Sequence, residues 1–176
     1  LGNNLNIMFL HPGVGQDTWS LLLRALVTSI SLGLLTTILG ALFAFFIAMG
    51  AARNLAPAWL ANTIKAAMAF IRAIPTILWV LIYSVVMGLG ASAAVVGLTF
   101  HSIAYLVKAY SESIEATPAE TIEALKASGV RFWPIVFQAI LPSIIPALLS
   151  WTFIRFEINF ANAVAVGAAA GANDIG

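Results

Sequence analysis

Long stretches of apolar residues without interior charge dominate the chain. A bilayer core about 30 Å thick needs about 20 apolar residues in helical form, and four stretches of roughly that length predict membrane-spanning helices. They cover residues 25–50, 66–88, 90–107 and 132–154. The pattern therefore predicts an all-α fold, a polytopic transmembrane helical bundle that forms one domain over residues 1–176.

Prolines mark two of these spans. The second span carries Arg72 and Pro75 in its first turns and is predicted as one helix that ends at Gly88. The fourth span is interrupted by Pro134, Pro142 and Pro146. Prolines are tolerated in membrane helices where neighbouring groups satisfy the freed backbone, so a kinked fourth helix is expected.

The loop between the third and fourth spans, residues 108–131, holds seven charged residues and must lie outside the hydrocarbon. Within it, Thr117 and Glu120 have the spacing of a capping box around Pro118. Gly129 is placed to end the helix. The predicted helix of about eleven residues is about 16 Å long at 1.5 Å per residue, which is too short to span and suits a membrane surface.

Lysine and arginine positions predict the orientation, because cytoplasmic loops carry more of them. With the charge-rich loop in the cytoplasm, one side holds five basic residues and the other two. The cytoplasmic set is Arg53, Lys65, Lys108, Lys126 and Arg131, and the outer set is Arg24 and Arg155. The first span then runs from outside to inside.

Composition narrows the function classes. Apolar residues make up 61% and charged residues 9%, against about 25% charged in soluble chains, which argues against a soluble enzyme, a nucleic-acid binder or a disordered tail. The chain has no cysteine, and His11 and His101 lack the partners of a metal site. No hydrolytic or nucleotide-binding motif occurs. The sequence thus predicts neither enzyme nor metal nor cofactor, and ATP hydrolysis would need another chain.

The chain ends suggest a truncated sequence. The chain begins with Leu1, and a protein built on this plan would return with one more span after Gly176. We therefore expect truncation at one or both ends.

The charge-rich loop carries the strongest motif. Glu123-Ala124-Leu125 is followed by Gly129 and then by Leu141-Pro142, and this resembles the E-A-A-x3-G-x9-I-x-L-P loop in permease subunits of bacterial ABC importers. The resemblance implies a cytoplasmic coupling helix, with Glu123, Ala124, Leu125 and Gly129 coupling to the ATPase. The residues themselves agree, because Ala119, Ile122 and Leu125 form an apolar stripe that a partner groove would accept.

A second set of motifs resembles the phosphonate- and phosphite-type branch of these permeases. The matching stretches are Arg72–Pro75, His101–Ile103, Ser111–Glu115, Trp151–Asn159 and the end Gly171–Gly176. At Asn173-Asp174 that branch usually has glycines. The resemblance implies import of a phosphorus oxyanion across the bacterial inner membrane. It also implies ATP-binding ABC subunits, an extracytoplasmic solute-binding protein, a second permease subunit in a homodimer and membrane lipid as partners.

Four polar side chains are candidates for the translocation pathway. Arg155, Glu157 and Asn159 follow the predicted end of the fourth span, where Arg155 would bind an oxyanion at an outer mouth or extend to the headgroups as an anchor. Arg72 would extend to the cytoplasmic headgroups or brace the coupling helix. Open alternatives are a permease for another solute such as an amino acid, an ATP-independent channel and an intramembrane enzyme.

Overall fold

The computed structural model describes residues 19–88 and 90–170, which form helices joined by short turns. The predicted all-α fold is confirmed, and no strand occurs in the described part of the chain. His11 and the Gly171–Gly176 end lie outside the described residues. The elements are α1 (Trp19–Ala51), α2 (Ala58–Ala73), α3 (Thr76–Met87), α4 (Ala91–Glu115), α5 (Ala119–Ala127), α6 (Phe132–Pro134), a π-helical segment (Ile135–Ile140) and α7 (Leu141–Ala170).

Three of these helical stretches are long and apolar enough to cross a membrane: Trp19–Ala51, Ala91–Glu115 and Phe132–Gly167. Ala91–Glu115 and Phe132–Gly167 correspond to the predicted third and fourth spans, and they extend well past the predicted ends at residues 107 and 154. Because the last one continues to Gly167, Arg155 lies inside a membrane helix and not at its end. This moves the candidate arginine into the bundle.

The predicted second span is not one helix. It consists of α2 and α3, which meet at an angle of 86°. Pro75 explains the break, since the residue before a proline is disfavoured in helical geometry and Ile74 is extended at φ −96° and ψ 126°. The Trp79 indole donates to the carbonyl of Ile71 at 3.0 Å and satisfies one group freed by the break.

The predicted irregularity of the fourth span takes the form of a π-helical segment. Its six residues lie between Pro134 and Leu141, and the Ser143 hydroxyl donates to the carbonyl of Ile140 at 2.7 Å. Serine hydroxyls that bond back to the preceding turn in this way often bend helices. Helical irregularities of this kind are frequent at functional sites.

Helix α4 lies at the centre of the bundle and packs against α1, α2, α3 and α7. Two glycines permit this close approach. A Cβ atom at Gly40 would lie 2.7 Å from Cβ of Ser102, and one at Gly97 would lie 2.7 Å from Cα of Val80. The middle of α4 is therefore held tightly, and that is where its polar residues lie.

Candidate functional site: a buried arginine centre and a coupling helix

Arg155 is the largest fully buried side chain in the described residues, with 1% of its surface exposed. It lies on the face of α7 that turns toward α4, together with Asn159 and Ala163 one and two turns later. Its partners on α4, His101 and Ser102, stand about 15 Å from the start of that helix and about 20 Å from its end at 1.5 Å per residue. The guanidinium is thus held near the middle of α4.

The guanidinium is held by neutral groups. Its Nε donates to the Ser102 hydroxyl at 2.9 Å and its Nη2 lies 3.0 Å from His101 Nδ1. Because a guanidinium only donates hydrogen bonds, this nitrogen of His101 is the acceptor and carries no proton. The hydroxyl of Thr76, the first residue of α3, also lies 3.0 Å from His101 Nδ1. Arg155 is therefore tied to α4 directly and to α3 through the imidazole.

Asn159 extends this network to α1. Its amide donates to the Ser102 hydroxyl at 2.8 Å and to the Thr37 hydroxyl at 2.9 Å. Thr37 donates in turn to the carbonyl of Gly33 at 2.7 Å. We call this set, which joins four helices, the arginine centre: Arg155, Asn159, His101, Ser102, Thr76 and Thr37.

The charge of the arginine centre is not compensated within the described part of the chain. No carboxylate there lies within 4.0 Å of Arg155. Two of the five N–H groups of the guanidinium have acceptors among the described residues, and the ring of Tyr105 faces its carbon atom at 5.2 Å. The centre can therefore offer a full positive charge and free donors, which is what an oxyanion needs.

The other three candidate residues for the translocation pathway do not all lie in the arginine centre. Asn159 belongs to the arginine centre, but Glu157 points away from it and is exposed on the opposite face of α7. Arg72, in the last turn of α2, donates to the carbonyl of Ala104 at 3.1 Å. It braces α2 against α4, and the suggestion that it braces the coupling helix was wrong. The suggested outer mouth at Arg155 was also wrong, because the helix does not end there.

The coupling helix predicted from the sequence is α5, and Gly129 ends it as predicted. Gly129 has φ +78°. Its N–H donates to the carbonyl of Lys126 at 3.0 Å and the N–H of Val130 donates to the carbonyl of Leu125 at 3.1 Å. These two bonds define a Schellman motif. Val130 and Leu125 both pack against the main core, which fixes the exit of the chain.

The start of α5 differs from the prediction. No side-chain hydrogen bond caps the helix, so the capping box of Thr117 and Glu120 was wrong. The Thr117 hydroxyl is buried without a hydrogen-bond partner, while Pro118 begins the turn by accepting from the N–H of Thr121 at 3.1 Å. The helix therefore begins through the fixed geometry of proline and has nine residues.

Two of the three residues in the apolar stripe of α5, Ile122 and Leu125, face their own bundle, while Ala119 is exposed. Ile122 is 2% exposed and Leu125 packs beside it on the core, so the suggestion that this stripe enters a partner groove was wrong. The exposed face contains Glu120, Glu123, Ala124 and Lys126. Glu123 and Ala124 are thus available to a partner, whereas Leu125 holds the helix in place.

A cluster of charges lies next to α5 at the C-terminal end of α4, which the orientation prediction places in the cytoplasm. Glu115 accepts from Lys65 Nζ at 2.7 Å and from the backbone N–H of Arg53 at 2.8 Å. Asn54 donates to the carbonyl of Ile114 at 2.8 Å. We call Arg53, Asn54, Lys65 and Glu115 the cytoplasmic charge cluster. It ties the turn between α1 and α2 to the residue from which the chain enters the coupling helix.

Sequence reasoning did not identify the partners of Arg155. Ser102 lies in the matching stretch His101–Ile103, whereas Thr37 and Thr76 are hydroxyl residues in apolar segments, and no pattern linked any of the three to Arg155. One signal was present, because polar residues at positions 155 and 159 are one helical turn apart and share a face. The assumed end of the span at residue 154 concealed it.

Comparisons with known proteins agree with this architecture. A family model described as "Binding-protein-dependent transport system inner membrane component" matches residues 40–176. The phosphate-import permease protein PhnE of Mycolicibacterium smegmatis is 30% identical over 142 residues, which are 80% of this chain and 27% of that protein. The phosphite transport system permease protein PtxC of Stutzerimonas stutzeri is 28% identical over 163 residues, 92% of this chain and 58% of that protein.

Solved structures show the same fold. A structure of the MetNI methionine ABC transporter in an inward-facing conformation has a TM-score of 0.76 at 24% identity and covers 86% of this chain and 75% of that one. A crystal structure of an amino acid ABC transporter with histidines has a TM-score of 0.70 at 20% identity, covering 87% and 73%.

Proposed function

We propose, from the premise that the chain belongs to the binding-protein-dependent transport system inner membrane component family, that it carries a phosphorus oxyanion through the membrane part of an ATP-driven importer. The chain is a multi-pass inner-membrane protein. The chain spans about a quarter of the length of the Mycolicibacterium smegmatis relative and little more than half of the Stutzerimonas stutzeri relative. Its substrate and partners are therefore part of the proposal. The bacterial inner membrane is the proposed location.

The observation that carries the substrate proposal is the uncompensated charge of Arg155. An ionisable side chain at the centre of a membrane helix costs about 2.5–3.5 kcal/mol on insertion scales and usually pairs or marks a substrate path. Here the described residues offer only neutral partners, and the planar guanidinium suits two oxygens of one anion. Permeases named for phosphate and phosphite import are related to this chain, which supports phosphate, phosphite or a phosphonate as that anion.

The coupling proposal rests on α5. Its exposed face, with Glu123 and Ala124, is the surface that we assign to the ATP-binding subunit. The buried Ile122 and the partly buried Leu125 join it to the core, and the cytoplasmic charge cluster joins the preceding turn to α1 and α2. Movement of the docked helix would then reach the membrane helices as a rigid-body shift. A solute-binding protein and a second permease subunit complete the proposed assembly.

The three rival functions make different predictions. The structural neighbours at 24% and 20% identity share the fold. The guanidinium of Arg155 also suits the α-carboxylate of an amino acid, so an amino-acid permease predicts uptake of methionine and none of a phosphorus oxyanion. An ATP-independent channel would conduct without nucleotide. No catalytic set lies in the arginine centre that would favour an intramembrane enzyme.

The proposed function is tested by reconstitution. The full-length protein, assembled with its ATP-binding subunit and binding protein, is placed in proteoliposomes, and uptake of labelled phosphite, phosphate, methylphosphonate and methionine is measured with and without ATP. The proposal expects ATP-dependent uptake of at least one phosphorus oxyanion and none of methionine. Uptake of methionine alone, or equal flux without ATP, would contradict it.

A further inference from the structure

A groove of about 620 Å³ opens between α4, α7 and the start of the coupling helix. Four hydroxyl residues line it: Ser113, Thr117, Thr121 and Ser143. The buried Thr117 hydroxyl has no hydrogen-bond partner among the described residues. The one charged residue of the lining, Glu112, is paired with Lys108 at 2.7 Å. Ser113 and Ser143 donate to carbonyls of their own helical segments. The groove therefore offers the hydroxyls of Thr117 and Thr121 and one negative charge that a lysine offsets.

The groove points at the arginine centre. Along α7 its lining ends at Trp151, and Arg155 is the residue one turn further on the same face. Along α4 its lining begins at Ala109, and Tyr105 lies one turn before it. Since α4 and α7 run in opposite directions, both helices lead from the groove toward the same buried guanidinium.

Two aromatic rings separate the groove from Arg155. The rings of Tyr105 and Trp151 are in edge contact with centroids 6.4 Å apart. Tyr105 also covers the guanidinium at 5.2 Å, while Trp151 is 36% exposed toward the groove side. The Tyr110 hydroxyl, bonded to the Thr152 hydroxyl at 2.5 Å, holds α4 and α7 together beside this pair.

We propose that the groove is the cytoplasmic half of the anion path, that Arg155 is the anion-binding group at its inner end, and that the Tyr105–Trp151 pair is the gate between them. This inference rests on the proposed function and adds to it a route and a gate. In the closed gate the uncharged rings occupy the space beside the guanidinium, and a cation–π contact favours this position. Withdrawing them exposes the free N–H groups of Arg155 to an anion and to the hydroxyl-lined groove.

The first test uses the absence of cysteine in the chain. In the assembled full-length transporter, Ser143→Cys lies in the groove and Thr63→Cys is a matched control, since Thr63 is exposed on α2 outside the groove lining. An impermeant, bulky thiol reagent applied to inside-out vesicles should label both. Labelling at residue 143 should lower phosphite uptake at least about tenfold, whereas labelling at residue 63 should leave it within about twofold.

The second test removes the gate. Trp151→Ala should let accumulated phosphite return to the source compartment, so that steady-state accumulation falls severalfold while ATP hydrolysis stays within about twofold. Trp151→Phe should keep most of the accumulation, because a ring remains. Trp59→Ala is the matched control, since Trp59 is exposed on α2 and remote from the groove; it should behave as wild type.

The results distinguish failure of the proposed function from failure of the path and from failure of the gate. Absence of ATP-driven uptake of every phosphorus oxyanion in the unmodified transporter overturns the proposed function. Normal phosphite uptake with no labelling at residue 143, or with harmless labelling there, overturns the path, because another protein segment then fills the groove or the anion passes elsewhere. Full accumulation in Trp151→Ala overturns the gate.

Discussion

Two charged clusters in this molecule are built in opposite ways. In the cytoplasmic charge cluster, the carboxylate of Glu115 meets the ammonium of Lys65, and these side chains are 26% and 30% exposed. In the arginine centre, Arg155 is 1% exposed and meets hydroxyl, amide and imidazole groups. The charges of the cytoplasmic charge cluster compensate each other and are partly exposed to solvent. The charge of the arginine centre is uncompensated and buried.

The difference indicates which cluster is structural and which is kept for a ligand. A partly exposed ion pair stabilises by about 0–1 kcal/mol, so the contact can rearrange at little cost when the helices move. A buried cation left without an anion is costly, and the hydrogen bonds around Arg155 fix its position without removing its charge. We therefore propose that the arginine centre binds an anion from outside the chain and that the cytoplasmic charge cluster transmits movement. Four substitutions test this contrast, taken in order of expected effect.

The largest effect is expected for Arg155→Gln. The charge and the planar two-donor geometry are lost together, and hydrogen bonds to a charged group contribute about 1.5–3 kcal/mol, so uptake should fall at least about tenfold. Arg155→Lys keeps the charge and loses the fork, and should be intermediate. Phosphite uptake normalised to assembled protein measures this. Equal uptake by wild type and both variants, at equal assembly, would contradict the assignment.

The next effect concerns coupling. Glu115→Lys places two ammonium groups together beside the coupling helix, and we expect uptake to fall severalfold while ATP hydrolysis continues. The double variant with Lys65→Glu restores opposite charges, so it should recover much of the uptake. The ratio of phosphite taken up to ATP hydrolysed is the readout, because general instability would lower both quantities together. No recovery in the double variant would show that the pair does not transmit movement.

A smaller effect is expected at the end of the coupling helix. Gly129 has φ +78°, and a Cβ atom added there would meet nothing within 4 Å. The cost of Gly129→Val is therefore conformational, about 1–2 kcal/mol, and should lower uptake a few-fold with normal membrane insertion. Gly129→Asn is the matched control, since asparagine tolerates this geometry. Wild-type uptake by the valine variant would remove Gly129 from the coupling account.

The smallest effect is expected for Lys108→Ala. Lys108 and Glu112 form an i,i+4 pair with both side chains 53% exposed, and such pairs contribute about 0.3–0.5 kcal/mol. The thermal midpoint should therefore stay close to that of the wild type. A thermal midpoint lowered as far as that of Glu115→Lys would mean that exposure does not separate the two ion pairs, and the contrast between the clusters would fail.

The sequence predicted the fold class, the family and the glycine that ends α5 correctly because each rests on a strong local signal. Apolar length predicts membrane helices, the family assignment is confirmed by the match over residues 40–176, and Gly129 occupies the left-handed position that ends α5. Its other predictions failed where a local pattern has two structural solutions. Pro75 permits either a kink or the 86° break that is found, and Thr117 fits a capping box that it does not form.

The arginine centre could not be predicted from the sequence because its contacts join distant parts of the chain. Arg155 looked like the flank of a span, since a charge normally ends an apolar window, yet its helix continues to Gly167. Its burial depends on His101 and Ser102 more than fifty residues earlier. With Arg155 inside the bundle, the outer basic set of the orientation prediction is reduced to Arg24.

The most direct test of the central claim supplies an anion from within the protein. Asn159 is fully buried and shares the Ser102 hydroxyl with Arg155, so Asn159→Asp would place a carboxylate one helical turn from the guanidinium. Asn162→Asp introduces the same group on α7 outside the arginine centre and serves as the control. Phosphite uptake and the thermal midpoint are measured for both assembled transporters. The account predicts that Asn159→Asp keeps its thermal midpoint and loses uptake at least about tenfold, because the internal carboxylate occupies Arg155, while the control transports normally. Normal uptake by a stable Asn159→Asp transporter would contradict the claim that Arg155 binds the transported anion.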